Sequence, residues 1–329
     1  MGCIMITHTA NCAKLDPDER HIRIPSHHAG LALFLRYLPP KTDSAAGVVL
    51  YVHGATFPSA LSIAHRLDGR SWRDELCAAG FHVWGLDFHG YGASDPLPEM
   101  DQPAVASLPL GQAEDASLQI EQAARHIIAT HRACRLSIIA HSWGTVATGR
   151  FALRCPDLLE RLVFFGPIAA RAEPRAESLP GWRIVTPQEQ WQRFVADTPA
   201  EAAPVLHERH FRPWAERYLD GDPESRARLP AGVKTPLGPL QDILDAWSGL
   251  LAYNPALIEA PVGIIRGEWD STSSEADAAW LFGALSASRM RRLVTIARAG
   301  HLMHLEEGRY ALYRETEAFL RGRDTPPEP

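Results

Sequence analysis

The sequence predicts an α/β protein, with a mostly parallel central sheet flanked by helices and a helical cap inserted after the sixth strand. Three observations predict it. Continuous apolar, β-branched runs alternate with segments of helical spacing through the first half of the chain. The alternation stops after Gly166 and resumes near Pro261. The runs end in turns carrying His, Gly, Ser or Asp, which gathers reactive side chains at the carboxyl edge of a parallel sheet.

Each element has its own signal. Residues 1–25 read as an irregular lead-in, and Leu31 to Tyr37 suits a strand that Pro39-Pro40 ends. Gly47 to Val52 (GVVLYV) is apolar throughout, as expected of a strand buried on both faces. Ser71 to Ala79 has helical spacing and stops at Gly80. Phe81 to Leu86 predicts a strand, 114–131 an amphipathic helix, Arg135 to Ala140 a strand and Thr145 to Arg154 a helix. Leu162 to Phe165 predicts the strand before the break. Residues 167–259 are rich in Pro, Trp and charge, with short helices expected at 187–197, 200–219 and 239–252 and no evident buried strand. Pro261 to Arg266 and Arg292 to Ile296 return to the sheet, and a helix over 309–321 closes it. The core is therefore expected at 26–166 and 260–323, the cap at 167–259 and a frayed tail at 324–329.

Bulk properties narrow the function. The 329 residues carry 33 Lys+Arg and 39 Asp+Glu, a net charge of −6. A mildly acidic chain with no long basic run gives no reason to expect nucleic acid as a partner. No run of 18 apolar residues predicts a transmembrane helix, and the start lacks the pattern of a secretory signal. Met1-Gly2 opens like a myristoylation site, but Ile6 stands where Ser or Thr is needed. The five cysteines are odd in number and widely spaced; Cys77, Cys134 and Cys155 read as core residues, which suggests a reducing, cytoplasmic setting.

Four segments carry the chemistry. Ser137 to Thr145 (SIIAHSWGT) reads as strand, sharp turn and helix with Ser142 at the apex. Such a turn lifts the hydroxyl clear of the backbone and aims the helix N-terminus at any anion formed there. It needs small residues two before and two after, here Ala140 and Gly144; Ala140 departs from the usual Gly. Val52 to Thr56 (VHGAT) follows the first buried strand, so the backbone N–H groups of Ala55 and Trp143 are the expected oxyanion donors. His53 is expected to tie that loop. Gly263 to Asp270 (GIIRGEWD) offers Asp270 as the acid that orients a histidine, with Glu268 as rival and helix capping as the alternative role. Ala299 to Glu306 (AGHLMHLE) offers His301 as the base, with His304 as competitor, expected to pack on the next helical turn.

The order nucleophile, acid, histidine resembles the α/β-hydrolase superfamily over about residues 30–166 and 260–321. Asp87-x-x-Gly90-x-Gly92-x-Ser94 also resembles a loop of these enzymes, with His89 where Arg is frequent. Ser142-Trp143-Gly144 is similar to the prolyl aminopeptidase branch, whose His-Gly-Gly-Pro-Gly loop is replaced here by His53-Gly54-Ala55-Thr56-Phe57. A serine nucleophile separates the chain from the epoxide hydrolase and dehalogenase branches, which place Asp there.

The resulting expectation is a serine hydrolase that cleaves a carboxylic ester of a small, largely apolar substrate, with no metal and no cofactor. Phe57 of the core and Trp182, Trp191 and Trp214 of the cap are the candidate pocket walls, and Trp247 is the fourth tryptophan of the cap; anchoring the cap is the alternative role for its tryptophans. An amidase or aminopeptidase is the nearest alternative, with Glu189, Asp197, Glu201 and Glu216 as possible acids for a substrate ammonium. A carbon–carbon bond hydrolase and a non-catalytic binding protein also remain open, and the oligomeric state is not encoded legibly.

Overall fold

The computed structural model describes residues 14–322. The first part of the lead-in, Cys3, Cys12 and the tail 324–329 lie outside the described residues. In chain order the elements are β1 (Arg20–Pro25), β2 (Ala32–Leu38), β3 (Gly47–Val52), α1 (Trp72–Ala78), β4 (Phe81–Asp87), α2 (Ala113–His131), β5 (Leu136–His141), α3 (Gly144–Arg154) and β6 (Leu159–Phe165). The inserted segment holds β7 (Trp182–Val185), α4 (Pro187–Val195), α5 (Glu208–Leu219), β8 (Val233–Pro236) and α6 (Gly238–Trp247). The core resumes with β9 (Val262–Gly267), α7 (Glu275–Ala284), β10 (Arg291–Ile296) and α8 (Arg309–Leu320).

Eight strands form one sheet in the order β1-β2-β4-β3-β5-β6-β9-β10. From β4 to β10 all neighbours are parallel, and β2 runs against both β1 and β4. The central strands are apolar on both faces because both faces are covered. Leu50, Ile138, Leu162 and Ile264 point into one core with α2 and α3. The alternate residues Val49, Ile139, Val163 and Ile265 point into the other, with Trp72 of α1 and Leu312 of α8. A third cluster, including Phe57, Phe194, Trp214 and Leu305, joins the insertion to the core.

Several expectations change. Residues 20–25 are a strand and not part of an irregular lead-in. His21, Ile22, Arg23 and Ile24 alternate weakly, and pairing with β2 supplies the backbone partners that such a pattern does not advertise. The link is reinforced by Glu19, fully buried, whose carboxylate accepts from Arg36 and from Arg73 Nη2 at 2.9 Å. Burial pushes that carboxyl up, but His21, Arg36 and Arg73 outweigh it and hold it down at about 2. Cys134 is exposed, because it sits in the turn between α2 and β5, whereas Cys77 and Cys155 are buried.

The insertion is not purely helical. β7 and β8 pair antiparallel, Trp182 opposite Pro236, in a small sheet of their own. The helix expected over 200–219 begins only at Glu208, after Pro199 and Pro204. The one expected over 239–252 stops at Trp247, two residues before Gly249 at φ 89°.

Candidate active site

The carboxyl ends of β3, β5, β6, β9 and β10 meet at one rim, where the strand order reverses around β3 and β5. Ser142 follows β5 directly. Its N–H extends the β5–β6 ladder by donating to Phe165 O at 2.9 Å, after which the chain turns sharply into α3. The turn forces Ser142 to φ 55°, a left-handed conformation that costs a non-glycine residue roughly 1–2 kcal/mol. Gly144 permits it: a Cβ there would lie 2.5 Å from the His53 carbonyl oxygen. Ala140 is tolerated because its methyl is fully buried among apolar neighbours of one sheet face.

His301 sits in the loop after β10, and Asp270 in the loop after β9. His301 Nε2 lies 2.8 Å from Ser142 Oγ, and His301 Nδ1 lies 2.9 and 3.0 Å from the two Asp270 oxygens. All three side chains are buried. Asp270 Oδ1 also accepts from Ser273 N at 2.8 Å, so the carboxylate is held from two sides. Helix capping falls to another residue, since Ser274 and Asp277 form the capping box of α7. Gly166, at φ 54° after β6, leaves the space this pair needs; a Cβ would sit 3.0 Å from His301 Nδ1 and 3.1 Å from Asp270 Oδ2.

The rivals are engaged elsewhere. Glu268 accepts from Arg298 N at 2.8 Å on the surface. His304 lies in a short 3-10 turn and packs against Phe57, His141 and Phe165. Burial, with His301 and His65 beside it, pushes its pKa down to about 3, so its ring stays neutral. His53 ties its loop as expected. Its Nε2 accepts from Phe88 N at 3.1 Å, which leaves Nδ1 to donate to Gly54 O at 2.7 Å.

Ala55 stands at the end of the β3 loop, its carbonyl accepting from Tyr91 OH at 2.6 Å. Trp143 is the N-cap of α3. Among the described residues neither backbone N–H has an acceptor, so both are free to meet an anion. The Trp143 indole donates to Asp242 Oδ2 at 2.7 Å, and the same oxygen accepts from Ala113 N at 2.6 Å. Burial pushes the Asp242 carboxyl up to about 6, although Trp143, Ala113 and Gln112 all hydrogen-bond to it.

The expected pocket walls are placed differently. Phe57 and Trp214 are 4% and 1% exposed and lie in the seam between insertion and core. Phe57 meets Trp214 edge-on, and the Trp214 indole donates to Leu61 O at 2.9 Å. Trp191 packs on Phe211 at the edge of the same cluster. Trp182 is half-buried on β7, its indole donating to Gln102 O at 3.0 Å and Lys234 lying over its ring. Arg171 covers Trp247. A small inserted layer has few apolar residues, so its aromatics are consumed in anchoring it.

Asp197 escaped the sequence reading as a positioning group. It follows α4, accepts from His301 N at 2.8 Å through Oδ2, and from Ser271 Oγ at 2.6 Å through Oδ1. One carboxylate of the insertion thus holds the loops of both His301 and Asp270. Glu306 supports the same region by accepting from Gly300 N at 3.0 Å. Burial, with Asp197 and Asp270 nearby, pushes its carboxyl up to about 7.

The family model for serine aminopeptidase, S33, matches residues 43–308. Among solved structures, a serine hydrolase from the polyaromatic hydrocarbon-degrading bacterium Cycloclasticus zankles is 16% identical, with a TM-score of 0.61, covering 93% of this chain and 99% of its own. An esterase from Exiguobacterium antarcticum is 14% identical, with a TM-score of 0.61 and coverage of 92% and 100%. A thermophilic esterase from Thermogutta terrifontis is 18% identical, with a TM-score of 0.56 and coverage of 93% and 100%. These likenesses concern the fold. No curated protein matches the chain in sequence.

Proposed function

Because the chain belongs to the serine aminopeptidase S33 family of the α/β-hydrolase superfamily, we propose that this serine hydrolase cleaves a carboxylic ester through an acyl-enzyme on Ser142. The observation that carries the reading is the unbroken line from Ser142 Oγ to His301 Nε2 at 2.8 Å and from His301 Nδ1 to Asp270 at 2.9 Å.

In the first half-reaction His301 Nε2 takes the Ser142 proton as Oγ attacks the ester carbonyl. Asp270 stabilises the imidazolium and keeps the neutral ring protonated on Nδ1. The Ala55 and Trp143 N–H groups receive the oxyanion. His301 then protonates the leaving alcohol as the C–O bond breaks. In the second half a water gives its proton to His301, attacks the acyl carbonyl, and Ser142 leaves with that proton. Nucleophile, base and charge stabilisation are all supplied by the chain, so the scheme requires no metal and no cofactor.

The placement of acids in the insertion supports an ester over an amino-terminal peptide. Recognition of a substrate ammonium calls for a free carboxylate near the nucleophile. Glu189 caps its own helix through Thr186, Asp197 holds His301 and Ser271, and Glu216 pairs with Arg226 on the surface. Glu201 is exposed on a turn.

The test is a panel of p-nitrophenyl esters and amino-acid p-nitroanilides on wild type and Ser142→Ala, with fluorophosphonate labelling of both. Expected is ester turnover with covalent labelling of wild type, and loss of both in the variant. Anilide turnover exceeding that of every ester would replace this reading with the peptidase one.

A further inference from the structure

The insertion brings uncompensated positive charge to the catalytic rim. Arg193 lies in the last turn of α4. Its Nη1 donates to Thr56 Oγ1 at 2.8 Å and to Gln190 Oε1 at 3.0 Å. Thr56 is the residue after Ala55, so the guanidinium is anchored one position from a proposed oxyanion donor. Both partners are neutral. Among the described residues no carboxylate forms an ion pair with Arg193.

The surroundings cancel only part of the charge. Arg183 of β7 adds a second cation nearby; burial and then Arg183 lower the pKa of Arg193. Glu189 offsets part of this charge: its Oε2 accepts from the Thr186 N–H and hydroxyl and its Oε1 lies 3.9 Å from Arg183, which leaves one carboxylate to two guanidinium groups. The phenols of Tyr91 and Tyr218 donate to the Ala55 and Val185 carbonyls, and burial keeps both neutral. The Arg193 side chain is exposed to solvent.

The guanidinium is also oriented. Thr56 and Gln190 use only Nη1, which leaves the Nε and Nη2 edge uncommitted. That edge presents two parallel N–H donors spaced for the two oxygens of a carboxylate. Gln190, fully buried, fixes Nη1 through its Oε1 and lies against the Tyr218 phenol. An oriented guanidinium with a free bidentate edge and no carboxylate partner fits a site completed by an anion.

We infer that Arg193 recognises a carboxylate on the acyl half of the substrate, which makes the preferred substrates hemiesters of short dicarboxylic acids. The acyl half is assigned because the oxyanion site holds its carbonyl and Arg193 is fixed beside that site through Thr56. The inference rests on the ester reading of Ser142 for turnover, though not for binding.

Two measurements separate them. The first compares kcat/KM for p-nitrophenyl hemiesters of succinate and glutarate with neutral p-nitrophenyl esters of matched chain length. Wild type is expected to favour the acidic esters by about 10- to 100-fold, from a charge-assisted bidentate contact. In Arg193→Gln that ratio falls at least about tenfold, and Arg193→Lys, which keeps charge but not the fork, is intermediate. The second is calorimetric titration of monomethyl glutarate into Ser142→Ala and into Ser142→Ala/Arg193→Gln, both checked for folding by circular dichroism. Saturable binding in the first and its loss in the second are expected. Turnover of neutral esters without acidic preference, or equal binding by both proteins, overturns the anion site and leaves the ester reading intact. Binding that depends on Arg193 without turnover of any ester does the reverse.

Discussion

The indole Nε1 of Trp143 donates to Asp242 Oδ2 at 2.7 Å, so the residue next to the nucleophile is tied to α6 of the inserted segment. The carboxyl that accepts it has its pKa raised from 3.8 to about 6 by burial. A raised folded-state value means the proton is held more tightly in the native protein. The associated stability is complete below about pH 3.8 and is lost as pH rises through about 6. Asp242→Asn keeps an acceptor for Trp143 and Ala113 once Gln112 turns its amide, and it removes the charge. Thermal melts between pH 5 and 8 should show the variant gaining on wild type as pH rises through about 6, to about 1–3 kcal/mol at pH 8. Glu306, raised to about 7, adds a slope of the same sign, while His65, His131 and His304, held neutral by burial, add slopes of the opposite sign to both proteins, so the readout is the difference between them. A difference in stability between variant and wild type that stays constant from pH 5 to 8 contradicts the assignment.

Glycine two residues after Ser142 and alanine two before it have unequal importance. A Cβ on Gly144 meets the backbone oxygen of His53 at 2.5 Å, whereas the Ala140 methyl fills a buried space. Gly144→Ala is expected to cost about 2–3 kcal/mol and at least tenfold in kcat, because the β3 loop carrying Ala55 must move. Ala140→Gly should cost about 0.5–1 kcal/mol with little change in rate. Chemical denaturation and steady-state kinetics on the pair decide it; the reverse ranking would falsify the packing argument.

Asp197 is a positioning residue for His301 and for the Asp270 loop. Asp197→Ala frees both loops, and a displacement near 1 Å at the base lowers kcat by roughly 10- to 100-fold. KM should change little, since both Asp197 oxygens are engaged by Ser271 Oγ and His301 N. Asp197→Asn retains one acceptor and is expected to recover part of the rate. Fluorophosphonate labelling of Ser142 should slow in the same order, and unchanged labelling kinetics would leave Asp197 with no such role.

Trp214 is buried in the seam between insertion and core, where it anchors the insertion. Removing an indole that stacks on Tyr218, meets Phe57 and bonds Leu61 O should destabilise by about 3–5 kcal/mol. In Trp214→Ala that remains folded, the ranking of ester chain lengths is expected to stay as in wild type. A changed ranking at normal stability would return this residue to the substrate site.

The parallel core was legible because β3, β5 and β9 are apolar on both faces, a pattern that few other elements share. The meeting of Ser142, Asp270 and His301 could be anticipated for a related reason: Ser142 and Asp270 each follow such a strand, and His301 follows the edge strand β10 in a turn that contains Gly300. β1 was not, since an edge strand buries only alternate residues and its charged positions mask the period. The insertion resisted reading more strongly. Its aromatics serve a small satellite cluster with no sheet or long helix to impose a repeat. Nor does local sequence reveal that Asp197 reaches His301 across 104 residues, or that Arg193 finds Thr56 across 137.

The salt link of Glu19 with Arg36 and Arg73 sets a limit on how far this polypeptide can be shortened from its amino end. Both guanidinium groups are almost wholly enclosed, at 1% and 0% exposure, and they share that single anion. A version trimmed beyond residue 19 would strand two cations inside the protein, at a penalty of about 3–5 kcal/mol for breaking such a pair from one side. Expression variants and amino-terminal fusions should therefore begin ahead of this glutamate, however dispensable the stretch around it looks on paper.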